Sequence, residues 1–166
     1  MKGKTKMSDS IYDFQTSILL QADDFAEAYK RCREGKNPRR DESGRLCSSC
    51  VNIPAIVNAA FACELYFKSM LEPPPKNEHN LFILYQKLPE NKKQIIRDYV
   101  NDRFKGHPRY TFDYCMERAG DAFVNWRYVF ENEHTDGFYG TFINEYLSFF
   151  ENLIPVLKDV AHSTSN

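Results

Sequence analysis

The sequence predicts an all-α protein, an antiparallel bundle of about five to six helices forming one domain over residues 1–166. Three observations carry that prediction. Apolar residues recur at three- and four-residue intervals through most of the chain, capping residues and breakers bound those stretches, and no segment alternates apolar with polar as a half-buried strand would. Composition agrees: 42% of the 166 residues are hydrophobic, 14% are aromatic and only 7 are Gly, enough apolar surface to offset the entropy of ordering one core.

The first helix is marked by Ile11, Phe14, Ile18, Ala22, Phe25 and Tyr29, with Ser10 and Asp13 placed as a capping box and Gly35 as its stop. Lys36 to Cys50, reading KNPRRDESGRLCSSC, holds Pro, Gly and Ser with almost no apolar residue. It cannot bury a face, so a mobile loop at about 36–50 is expected, together with flexible termini. The second helix starts with Asn52 as cap and Pro54 in its first turn, and buries Ile53, Val57, Ala60, Phe61 and Leu71 before Glu72 and three prolines end it. Glu64 and Lys68 fall on that same stripe. A core-facing carboxylate costs several kcal/mol unless it is paired, so Glu64 requires a partner from elsewhere in the bundle.

A short helix from about Leu81 to Leu88 precedes another from about Pro89 to Phe104, whose apolar face is Ile95, Ile96, Tyr99 and Val100. Lys105-Gly106-His107-Pro108 breaks the chain. Thr111 then caps a long fifth helix with Phe112, Cys115, Met116, Ala119, Phe123, Trp126 and Phe130 inward, bounded by Asp136-Gly137. The last helix runs from about Thr141 to Ala161 along Phe142, Ile143, Tyr146, Phe150, Leu153, Leu157 and Val160, with Pro155 expected to kink it.

No apolar run approaches the length of a membrane span, and the basic start MKGKTKMSDS leads into no signal-type apolar region, so no membrane association is expected. Five cysteines, an odd number, are read as reduced thiols in a cytoplasmic protein. Net charge is −1, but it is unevenly spread: Lys76 to Arg109 holds eight basic residues against four acidic, whereas from Tyr110 onward there are three basic and nine acidic. Such halves can steer a polyanion to one surface or two copies to each other, but a solvated mixed surface is the favoured explanation. No Gly-rich phosphate loop or cofactor motif occurs, and no cofactor is expected. Cys47-x2-Cys50 would need two further ligands to hold zinc, and none stands at matching spacing. His79 reads as a capping or packing residue before the third helix.

The candidate chemistry is on the fifth helix. Arg127 and His134 are seven positions apart, so on an α-helix both leave the same face roughly 10 Å apart along the axis. An arginine fork fixes phosphate oxygens and a histidine moves protons near neutrality, which suits phosphodiester cleavage without metal. In RNA the nucleophile would be the 2′-hydroxyl, and Arg127 would stabilise charge building on the phosphorus oxygens. A two-fold axis beside this helix would bring two such pairs into one groove. The alternative is structural: Arg127 pairs with Glu131 one turn on, or crosses to the buried Glu64, while His134 is a polar residue near a helix end.

With these residues the chain resembles the HEPN superfamily of helical bundles, many of which are metal-independent endoribonucleases that dimerise around an Arg-x4-6-His helix. The resemblance runs through Asn58-Ala-Ala-Phe-Ala-Cys-Glu-Leu-Tyr-Phe-Lys-Ser-Met-Leu71, His79-Asn-Leu-Phe-Ile-Leu-Tyr-Gln-Lys-Leu88 and Phe123-Val-Asn-Trp-Arg-Tyr-Val-Phe-Glu131, covering about two thirds of the chain. Two positions depart from the family pattern. Tyr128 follows the arginine where active members usually carry a polar residue, often Asn, and Asp136 stands where members neutralised by an adjacent nucleotidyltransferase carry Tyr. The resemblance implies a homodimeric endoribonuclease acting on RNA in stress, toxin or phage defence, with Arg127 and His134 catalytic and an antitoxin or nucleotidyltransferase as partner. It equally accommodates a non-catalytic interaction or nucleotide-binding module in which Arg127 serves the fold.

Overall fold

A computed structural model describes residues 6–34, 42–44, 52–105, 110–127 and 139–163, with side chains from Phe14 onward in the first helix and from Ile143 onward in the last. Seven helices occur among the described residues: α1 (Lys6–Glu34), α2 (Asn52–Ser69), α3 (Leu81–Gln86), α4 (Glu90–Arg103), α5 (Phe112–Ala119), α6 (Ala122–Arg127) and α7 (Tyr139–Ser163). No strand occurs among them. The expected loop contributes only the exposed turn Glu42–Gly44, in which Gly44 takes φ +79°, a conformation that glycine adopts without steric cost. The rest of that loop and both chain ends lie outside the described residues.

The centre of the molecule is α2. An amphipathic stripe was the expectation, but Ala55, Ile56, Ala59, Ala60, Ala62, Cys63, Leu65, Tyr66 and Phe67 are all buried. A helix that is apolar nearly all round belongs in the middle of a bundle, where neighbours cover every face. Its alanines let those neighbours approach closely. Helix α1 runs antiparallel along one side, since Asp23 meets Tyr66, Phe25 meets Phe61 and Cys32 meets Asn58 as the numbers rise on one helix and fall on the other. Helix α7 is antiparallel to α1 in turn, with Tyr29 beside Leu147 and Asp23 beside Lys158 and His162. Leu147, Phe149, Phe150, Leu153, Val156, Leu157 and Val160 carry α7 into the same core.

Several boundaries differ from the sequence expectation for local physical reasons. Helix α1 begins at Lys6, so Ser10 lies inside it rather than capping it. Phe14, expected inward, is 55% exposed, while Leu19, Ala22 and Tyr29 are buried. On α4 Ile96 and Val100 are buried but Ile95 is 54% exposed, a turn-by-turn shift of the apolar stripe away from the expected face. The fifth helix is not continuous: Gly120 and Asp121 form a turn between α5 and α6. Thr111 does cap α5, its side chain accepting from the Tyr114 N–H at 3.3 Å. Pro155 lies within α7, which continues through it to Ser163. Residues 128–138, including Phe130 and Asp136-Gly137, lie outside the described residues.

Candidate functional site

Glu64 is at the centre of the α2 core with 1% of its side chain exposed. Its Oε1 accepts from Lys68 Nζ at 2.8 Å, one turn along the same helix, and lies 3.0 Å from His79 Nδ1. The other oxygen, Oε2, is buried and has no hydrogen-bond partner. Leaving such an atom unmet is costly, and the two cation-capable neighbours on Oε1 are what offsets the burial. The partner from elsewhere in the bundle that the sequence requires is therefore His79. The alternative in which Arg127 crosses to Glu64 is corrected by this arrangement, because the ion pairs of Glu64 are with Lys68 and His79.

His79 is held by its surroundings before it meets Glu64. Glu78 folds back so that its Oε1 accepts from the backbone N–H groups of His79, at 3.1 Å, and Asn80, at 3.0 Å. Asn80, rather than His79, caps α3: its Oδ1 accepts from Ile83 N at 3.1 Å, and its Nδ2 donates to Asp121 Oδ1 at 2.9 Å. Leu81 N donates to the Gly120 carbonyl at 2.8 Å. The segment carrying His79 is thereby tied to the start of α6. Half of the His79 side chain, 50%, is exposed, and Lys87 approaches Glu78 at 3.7 Å on the same flank. A carboxylate oxygen can only accept, so the 3.0 Å contact with an ionised Glu64 calls for a proton on His79 Nδ1.

Arg127 is exposed in the last turn of α6. Its guanidinium carbon lies 5.7 Å from the Phe123 ring centroid, Phe123 stacks on Phe61 at 4.8 Å, and Phe61 precedes Glu64 by three positions on α2. Arg127, Phe123 and Phe61 thus follow one another across the α2–α6 seam, and Glu64 lies one turn beyond Phe61 on α2. His134 and Glu131 lie outside the described residues, so of the expected catalytic pair the structure places Arg127 alone. It brings Lys68, one turn along the same stripe, and His79 to Glu64. The sequence did not identify His79 as that partner; the available signal was that a carboxylate on an apolar stripe demands a polar partner and that His79 opens the next helical segment.

A separate cleft opens between α5 and α7, lined by Tyr110, Tyr114, Arg118, Glu145, Tyr146 and Phe149. Tyr110 Oη donates to Glu145 Oε1 at 2.9 Å, and Tyr146 Oη to the Arg118 carbonyl at 3.0 Å. Cys115, on its floor, has its thiol pushed up by burial to about 11, and burial holds the Cys63 thiol well above its ordinary value. Both stay protonated at neutral pH and are poor nucleophiles. Among the described residues no group of three or more His, Cys, Asp or Glu side chains is arranged to hold a metal ion; Cys47 and Cys50 lie outside them. No helix among them is long and apolar enough to cross a membrane. Comparison with protein-family models, with curated proteins and with solved structures finds no match.

Proposed function

We propose that the chain is a HEPN-like endoribonuclease that cleaves RNA without metal, with Arg127 on the phosphate and His134 moving protons. The observation that carries this reading is the division of labour between two charged sites. Glu64, the buried charge that would call a guanidinium into the core, is met by Lys68 and His79, while Arg127 reaches solvent from the end of α6. An exposed guanidinium on a short helix packed against α2 is placed to receive phosphate oxygens through its fork of donors. The order of motifs along the chain supplies the remaining support, including the setting in stress, toxin or phage defence, the homodimer, and an antitoxin or nucleotidyltransferase as partner.

The test is cleavage of a short single-stranded RNA by the purified full chain in the presence of chelator. Arg127→Ala and His134→Ala are each expected to lower the rate by about 100-fold or more, the range associated with losing a transition-state contact or a proton-transfer group. Rates that stay at the wild-type level in both variants overturn the assignment of roles.

A second reading, a helical interaction module without catalysis, is favoured by one observation: Phe14 and Leu20 on α1 are 55% and 60% exposed. Large apolar side chains left in water on a long helix suit a protein partner. In that case the chain binds RNA cleavage products no better than any mixed-charge surface does, and chelator-resistant cleavage is absent.

A further inference from the structure

The walls of the cleft between α5 and α7 are fastened by two hydrogen bonds, Tyr110 Oη to Glu145 Oε1 at 2.9 Å and Tyr146 Oη to the Arg118 carbonyl at 3.0 Å. The space left is about 260 Å³, open water at its mouth included, over a floor of Cys115 and Phe149. Pockets for drug-sized ligands hold roughly 300–1,000 Å³, so this one admits a single small group. Three tyrosines, a carboxylate and a guanidinium around a buried phenylalanine are the chemistry that meets a flat ring bearing hydrogen-bonding edges.

We propose that this cleft binds a guanine base, carried on a free nucleotide or unpaired in an RNA strand. Tyr114 gives the base a face to stack on: its side chain is 41% exposed on a helix that buries Phe112, Cys115, Met116 and Ala119. Glu145 takes the donors of the base. A carboxylate offers about four lone-pair directions, and the bond from Tyr110 uses one of them while holding the group in place. Arg118, exposed one turn beyond Tyr114 with its guanidinium carbon 5.5 Å from that ring, turns its fork to the acceptors of the base. Exposed side chains such as these two turn within nanoseconds, so the mouth opens to the thickness of a ring without moving a helix.

The combination of an acid with a guanidinium is what selects among bases. Besides burial, the charges of Glu145, which raises, and Arg118, which lowers, both reach the Cys115 thiol on the floor, so the two groups face one space. Guanine presents two adjacent donors to a carboxylate, N1–H and the 2-amino group, and two adjacent acceptors to an arginine, O6 and N7. Adenine and cytosine each set a ring nitrogen lone pair beside their one amino group, and uracil flanks its single N–H with two carbonyl oxygens. Each of these turns a lone pair toward the Glu145 carboxylate and leaves it partly unmet. In an RNA strand such a site directs a ribonuclease to unpaired guanine, a consequence that rests on the reading above; the binding itself does not.

The experiment is titration calorimetry of the purified full chain with the four nucleoside monophosphates, and with two short RNAs of adenines that differ by one guanine. The guanine ligand is expected to bind about tenfold or more tightly than its counterparts in at least one of the two forms. A preference confined to the monophosphate identifies a free nucleotide as the ligand, and one confined to the strand identifies a base read within RNA; both support the site. Glu145→Gln keeps an oxygen for Tyr110 but loses the paired acceptors, and is expected to erase the preference for guanine. Tyr114→Ala, at an exposed position, is expected to weaken binding by about tenfold or more. Melting curves check that each variant is folded. Equal binding of all bases in both forms, or no binding in either, overturns the proposal without needing a variant, and so does guanine binding that is unchanged in either folded variant. None of these readouts is cleavage, so that failure leaves the ribonuclease reading standing, while guanine binding without cleavage in chelator removes the ribonuclease and leaves the site.

Discussion

Arg127 and Glu64 are the two residues whose removal separates a functional cation from a structural one. Arg127 is exposed, its guanidinium resting over Phe123 among its contacts, and substitutions at such surface positions usually change stability by no more than about 0.5 kcal/mol. For a chain of this length such a loss moves the melting temperature by no more than about 4 °C. Glu64 is sealed in the core between Lys68 and His79, and stripping one member of a buried pair costs about 3–5 kcal/mol because the remaining charge is left without compensation. Arg127→Ala is therefore expected to melt close to the wild type in calorimetry, and Glu64→Ala to melt well below it. An Arg127→Ala protein destabilised as severely as Glu64→Ala would place the guanidinium in the fold and remove the argument for its phosphate role.

The turn at Gly120 and Asp121 decides where α5 ends and α6 begins, and it does so through contacts that no periodicity encodes. A Cβ on Gly120 would lie 2.8 Å from Asn80 Nδ2, closer than real Cβ atoms come, and a tight 3.0 Å from its Oδ1, and the Asn80 side chain is pinned by Ile83 and Asp121. Gly120→Ala is expected to cost about 1–3 kcal/mol by overpacking, read as a lower midpoint in urea, while a neutral outcome would mean that the α3 cap yields freely. This junction also explains what was legible. Apolar spacing found the helical stretches and the inward positions Phe112, Cys115, Met116, Ala119 and Trp126 of the α5–α6 stretch, because those depend on local period alone. It joined α5 to α6, because the bond from Leu81 N to the Gly120 carbonyl is tertiary. It likewise showed that Glu64 needs a partner but not which one, since the path of the chain after α2 brings His79 back to it. The exposed Ile95 and the all-round burial of α2 were hidden for the same reason: neighbours, not period, determine them.

At the scale of the whole molecule the three long helices are joined at one carboxylate. Asp23 on α1 accepts from Tyr66 Oη of α2 at 2.6 Å and meets Lys158 and His162 of α7 at 3.0 Å each. Burial pushes the Asp23 carboxyl up, but the bonds from Tyr66 and Lys158 and the charges of Lys158 and His162 outweigh it and leave the group below its ordinary value of 3.8. A carboxyl held lower in the folded state than in the unfolded chain stabilises the fold above the unfolded value, and that contribution disappears as pH falls through the folded one. The ordinary lever of acid denaturation is thus placed where α1, α2 and α7 meet. Asp23→Ala is expected to lose about 1.5–3 kcal/mol at neutral pH, the worth of hydrogen bonds to a charged group. The gap between wild type and variant is expected to narrow as pH is lowered below the ordinary carboxylate value and through the depressed folded one, as the carboxylate is protonated. Urea unfolding at neutral pH and at successively lower pH measures it. A gap of constant size would show that Tyr66, Lys158 and His162 hold position 23 by packing and not by its charge, and the three helices would then owe their register to the Leu19, Ala22, Phe67 and Leu157 core alone.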